Sequence, residues 1–89
     1  MDRKITLSDH ARRQLQRRGL TETMVLGTAR SPEQVISVRP GREVRQSRVR
    51  MQPDDRDYVV RVFVDTDSDG DIVVTAYRSS KIDKYWRKS

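Results

Sequence analysis

Tyr58-Val59-Val60-Arg61-Val62-Phe63-Val64 is the stretch that decides the fold. Apart from Arg61, every residue in it is β-branched or aromatic, the side chains that suit a pleated, half-buried surface. With a two-residue period, Tyr58, Val60, Val62 and Val64 point one way and Val59, Arg61 and Phe63 the other. Ile72 to Tyr77 reads as the next strand, with Ile72, Val74 and Ala76 opposite Val73, Thr75 and Tyr77. Asp65 to Asp71 joins the two as a hairpin loop. A symmetric hairpin centred on Ser68 pairs Val62 with Val74 and Arg61 with Thr75. One face is then apolar, and the other mixes Arg61, Thr75 and Tyr77 with Val59, Phe63 and Val73. That second face is either a solvated outer surface or the polar seam of a site.

Working back from this hairpin, the period of two continues. Arg42 to Met51 is a longer polar strand, bounded by the turns Pro40-Gly41 and Pro53-Asp54-Asp55-Arg56, and Gln34 to Val38 is the strand before it. Ahead of residue 32 the period changes. Leu7, Ala11 and Leu15 form an apolar stripe at helical spacing, with Ser8 as N-cap, Asp9 in the first turn and Gly19 as stop. Thr21 caps a second helix running to about Ala29, where Met24, Val25 and Ala29 supply the apolar contacts. Ile5-Thr6-Leu7 is a short strand or lead-in, and Lys81 to Lys88 a short helix or edge segment. The reading is an α+β domain: an N-terminal helical hairpin over residues 8–31, packed on an antiparallel meander of about four strands.

The chain has 89 residues, one domain's length, and 34% hydrophobic content, so its core is small and a partner or a homo-oligomer interface would help complete it. No apolar run is long enough to span a membrane. Met1-Asp2-Arg3-Lys4, followed by one short apolar patch, does not read as a signal peptide, and a cytoplasmic location is expected. With no cysteine there is neither a disulfide framework nor a thiolate zinc site.

Net charge is +6, with 12 basic against 5 acidic residues in 1–50 and 7 against 8 in 51–89. Fifteen of the 19 basic residues are arginine, whose planar fork matches phosphate and stacks on bases. RNA or DNA is the natural partner, and an acidic protein the alternative. Arg39, Arg42, Arg45, Arg48 and Arg50 are the densest basic stretch, but a spacing of three alternates faces in a strand. Asp65 to Asp71 copies the first half of a calcium loop, yet Ala76 stands where the closing Glu belongs, so it reads as an acidic turn. No metal and no cofactor is expected.

His10 is the only histidine, and an imidazole is the side chain that titrates near neutral pH. His10, Gln14 and Arg18, at i, i+4 and i+8, run along the border of the apolar stripe. His10-Ala11 with Arg18-Gly19-Leu20, and the late Val73–Tyr77 and Ser80–Trp86 segments, resemble the opening and closing signatures of a family of small bacterial domains of uncharacterised function. That family is grouped with the RelE-like and BrnT-like toxins of the barnase–colicin–RelE type of fold. The resemblance implies a RelE/barnase-like architecture and a metal-independent endoribonuclease, the toxin of a toxin–antitoxin pair held by an acidic antitoxin. Carried over by position, it implies a site of His10, Arg18 and Thr75, with Tyr77 beside them; Gln14 stands where the family often has a basic residue.

Metal-free RNA cleavage uses the ribose 2′-hydroxyl as nucleophile. His10 would be the general acid or base, Arg18 and Arg61 would hold the phosphate, Thr75 would orient a phosphate oxygen, and Tyr77 would stack a base or share the proton transfer. The competing class is a non-catalytic nucleic-acid-binding or protein-interaction module of the same fold. In the tail, Tyr85 and Trp86 sit between cations; one closes the core and the other could stack a base, with core or interface packing the expected role of Trp86.

Overall fold

In the computed structural model, which describes residues 3–88, the chain runs β1 (Ile5–Leu7), α1 (Asp9–Arg17), α2 (Glu22–Arg30), β2 (Gln34–Arg39), β3 (Arg42–Met51), β4 (Arg56–Thr66), β5 (Asp71–Ser79) and α3 (Ile82–Tyr85). Met1 and Asp2, part of the N-terminal reading above, lie outside the described residues, as does Ser89. The helix signals act where the sequence puts them. Ser8 Oγ accepts from Ala11 N and Thr21 Oγ1 from Met24 N, each at 3.1 Å, relieving donors that the first turn of a helix leaves unpaired. Gly19, at φ 68°, turns the chain out of α1.

The five strands form one mixed sheet in the order β1-β5-β4-β3-β2. This corrects the expected architecture of a helical hairpin on a four-strand meander, and with it the RelE/barnase-like arrangement. β2 to β5 do form antiparallel neighbours, but Ile5–Leu7 adds a fifth strand, parallel to Asp71–Val73. Nor do α1 and α2 form a paired hairpin. Each has one narrow apolar stripe, Ala11 and Leu15 in α1 and Val25 and Ala29 in α2, and spends it on the sheet. α1 packs on β5, and α2 on β4 and β3.

Val60, Val62, Val64, Val73 and Ala76 are fully buried in the core that these helices close. Each such valine contributes about 1.5–3 kcal/mol of burial. Val73 therefore leaves the mixed face on which alternation placed it. The hairpin register differs too: Val62 faces Ala76 and Arg61 faces Tyr77, not Val74 and Thr75. Two one-residue shifts add up to this: the loop closes on the pair Thr66–Asp71 rather than symmetrically about Ser68, and a bulge at Val74, between the pairs Val64–Val73 and Phe63–Thr75, supplies the second. The acidic loop is a turn, with Asp67 Oδ1 accepting from the Asp69 and Gly70 backbone N–H groups.

Candidate functional site

β1 covers the outer edge of β5 only as far as Val73. Beyond it the edge would expose unpaired carbonyls, and α1 meets them. Ser8 N donates to Val73 O at 3.0 Å, and Arg18 Nη1 donates to Ala76 O at 2.8 Å. Arg18 Nη1 also lies 3.3 Å from Thr75 Oγ1, and that hydroxyl donates to Gln14 Oε1 at 2.6 Å. Gln14, Arg18 and Thr75 are thus one hydrogen-bonded group on the edge of the sheet. The helical row read from the sequence is real, and its border position is what lets it reach β5.

His10 starts the same row one turn earlier. Its side chain is exposed, and among the described residues it has no hydrogen-bond partner. It is near in register but not locked in place.

Arg61 and Tyr77 form the second group. They face each other across β4 and β5, and Arg61 Nη1 donates to the Tyr77 hydroxyl at 2.6 Å. Arg61 Nε donates to Gln46 Oε1 at 2.9 Å, and its guanidinium lies 4.4 Å from the centre of the Tyr85 ring. Phe63 and Tyr85 flank Tyr77 at 6.1 and 5.9 Å between ring centres. Gln46 is fully buried and also donates to Gln34 Oε1 and Tyr85 O. Among the described residues no carboxylate pairs with Arg61. Burial pushes the Tyr77 phenol above its ordinary value. The Tyr77 hydroxyl facing it, together with Lys84 and Arg61, holds Tyr85 below the usual phenol range.

The five residues read from the sequence therefore divide. Arg18 bonds Thr75, Arg61 bonds Tyr77, and Thr75 and Tyr77 sit two apart on β5, so they share a face. His10 touches neither group. Gln46 and Tyr85 were missed as site residues. Only the register of β3 on β4, which sets Gln46 against Arg61, and the return of the C-terminal segment over that face identify them.

Most of the arginine-rich β3 is committed internally. Arg42 pairs with Asp65, Arg45 with Glu43 and Asp71, and Arg50 with Asp55 and Asp57, while Arg48 lies over Trp86. Among the described residues no cluster of histidine and carboxylate side chains is placed to hold a metal ion, and no helix is long and apolar enough to cross a membrane.

Residues 7–78 match the model of a family described as a domain of unknown function, DUF4258. No curated protein and no solved structure matches the chain, and nothing in these comparisons ties it to RelE-like or BrnT-like toxins.

Proposed function

Since the chain belongs to the DUF4258 family, whose description leaves its activity open, we propose from its geometry that it is a metal-independent endoribonuclease centred on the α1 row. The observation that carries this reading is the Gln14–Arg18–Thr75 group, with the single exposed histidine one helical turn away on the same row. Arg18 Nη1 is spent on β5, and among the described residues no acceptor meets its Nε or Nη2. Those donors suit a phosphate oxygen. His10 then takes the proton of a ribose 2′-hydroxyl or returns one to the leaving 5′-oxygen. Tyr77 lies further along the same face of β5, with Arg61 opposite it on β4, and the two would hold the adjoining nucleotide. The biological setting proposed with it is that of a toxin restrained by an acidic antitoxin, for which the +6 charge is the support.

The test is incubation of purified protein with single-stranded RNA in the presence of a chelator. Cleavage with 2′,3′-cyclic phosphate ends is expected, slowed about 10²-fold or more by His10→Ala, the scale of a general acid–base group. Wild type that cleaves nothing, or His10→Ala that cleaves at the wild-type rate, refutes the assignment. The second reading is a non-catalytic binding module. The observation in its favour is that His10 has no orienting partner among the described residues, while Arg18 and Thr75 already bond the sheet edge. RNA bound but left intact decides for it.

A further inference from the structure

The C-terminal segment crosses the sheet face opposite α2 and is held there by its backbone. Gln34 Nε2 donates to Arg87 O at 2.7 Å and Gln34 Oε1 accepts from Arg87 N at 3.0 Å. On the other side of Trp86, the buried Gln46 donates to Tyr85 O at 3.1 Å. Trp86 is thus clamped before and after. Its indole is half-buried, and the Arg48 guanidinium lies 4.7 Å from the ring centre. Arg48 itself is exposed and makes no ion pair among the described residues; nearby Glu33 spends Oε1 on the Arg48 backbone N–H. Here the ring lies between two hydrogen-bonded backbone positions, is backed by a cation, and belongs to a residue that keeps part of its surface in solvent.

The charge around it is net positive. Residues 81–88 carry Lys81, Lys84, Arg87 and Lys88 against Asp83, a net +3. An aromatic platform flanked by cations is the chemistry that binds single strands: bases stack on the ring and cations track the phosphates. A duplex keeps its base faces stacked inside and has none to offer. The basic N-terminal portion lacks such a platform, since residues 1–50 contain no phenylalanine, tyrosine or tryptophan.

We propose that Trp86, backed by Arg48 and flanked by Lys84 and Arg87, is a base-stacking subsite for single-stranded nucleic acid, separate from the α1 row. It stands whether or not the His10 row cleaves RNA.

The single tryptophan makes the site its own reporter. Fluorescence of the His10→Ala protein, which keeps the strand intact under the first reading, is titrated with an eight-residue oligouridylate at low salt. Saturable quenching is expected, with a slope of log affinity against log salt of roughly −2, for about three phosphate contacts at 0.7 each. A duplex RNA of equal length should not quench. In anisotropy with a labelled strand, Trp86→Leu should lose about tenfold or more in affinity, in line with one stacked base. Lys84→Gln with Arg87→Gln, both exposed positions, should weaken binding and flatten the salt slope while leaving circular dichroism unchanged. No quenching, equal quenching by duplex, or unchanged affinity in the Lys84/Arg87 variant overturns the proposal. Quenching that persists in a protein that cleaves nothing supports this subsite while refuting the nuclease.

Discussion

Asp71 opens β5, and its side chain is 2% exposed. A carboxylate that deep survives because Arg3 Nε and Arg45 Nη2 each donate to it at 2.9 Å. Arg45 also donates to Glu43 Oε2 at 2.8 Å and to Ala29 O at 2.9 Å, so one guanidinium ties α2, β3 and β5 together. Arg45→Met keeps much of the aliphatic stem and removes the fork. It leaves a buried charge with Arg3 alone, whose side chain is 47% exposed. Breaking a buried pair costs about 3–5 kcal/mol, and the surviving Arg3 bond puts the expectation at about 3. A chain of this size has about 4–13 kcal/mol in total. At 4–8 °C per kcal/mol, the melting temperature should drop by about 12–24 °C. Asp71→Asn alone should cost less, about 1–2 kcal/mol, because Arg45 keeps Glu43. The double variant should cost clearly less than the two singles added. Urea unfolding followed by Trp86 fluorescence and circular dichroism measures all three. The reasoning fails if Arg45→Met loses under 1 kcal/mol, or if the two costs add.

The same network sets an acid limit: burial raises the Asp71 carboxyl, but the hydrogen bonds from Arg3 and Arg45 and their charges outweigh it, so its folded value is lowered. Its contribution is therefore complete above the unfolded carboxylate value of about 3.9 and fades as pH falls through the lowered folded one, so acid unfolding should come earlier relative to neutral stability in wild type than in Asp71→Asn. Spectrophotometric titration should show Tyr85 ionising before Tyr77, and Arg61→Gln should raise both, since its cation favours each phenolate; unchanged titration would remove Arg61 from that cluster. Gly70→Ala should cost about 1–3 kcal/mol, because the residue sits at φ 153° and an added Cβ would lie 2.7 Å from Lys4 O, and a neutral result in thermal melts would contradict that contact. Thr21→Ala should cost about 1 kcal/mol through the lost cap of α2.

Local chemistry carried most of the elements into view from the sequence. Ser8, Thr21 and Gly19 mark their helix ends, and the alternation around Arg61 marks the central strand. What was not legible depended on pairing. Nothing in Ile5-Thr6-Leu7 says that it will lie parallel to a strand more than sixty residues away, because three apolar-leaning residues fit many edges. The helical hairpin failed for a related reason: periodicity shows that α1 and α2 each have one apolar face, not what covers it. The loop closure at Thr66–Asp71 and the bulge at Val74 together put Tyr77, rather than Thr75, opposite Arg61, and no residue type there announces either. The His10–Gln14–Arg18 row was readable as geometry, while its attachment to β5 was not.

That attachment changes how the row can act. A sheet edge left open past Val73 needs its carbonyls met, and Arg18 meets Ala76 O with the same nitrogen that reaches Thr75. The guanidinium is thereby fixed in orientation before any ligand arrives, with its remaining donors uncommitted among the described residues. Pre-orientation of this kind favours phosphate binding, since little side-chain entropy is left to lose. His10 is in the opposite condition, exposed and unheld. If the row cleaves RNA, the substrate must align the imidazole, so the cost of losing His10 should appear in the chemical step and the cost of losing Arg18 in both binding and stability. Arg18→Lys separates these roles: it keeps the charge, loses the fork, and should slow cleavage while also lowering the melting temperature, whereas His10→Ala should leave the melting temperature where it was.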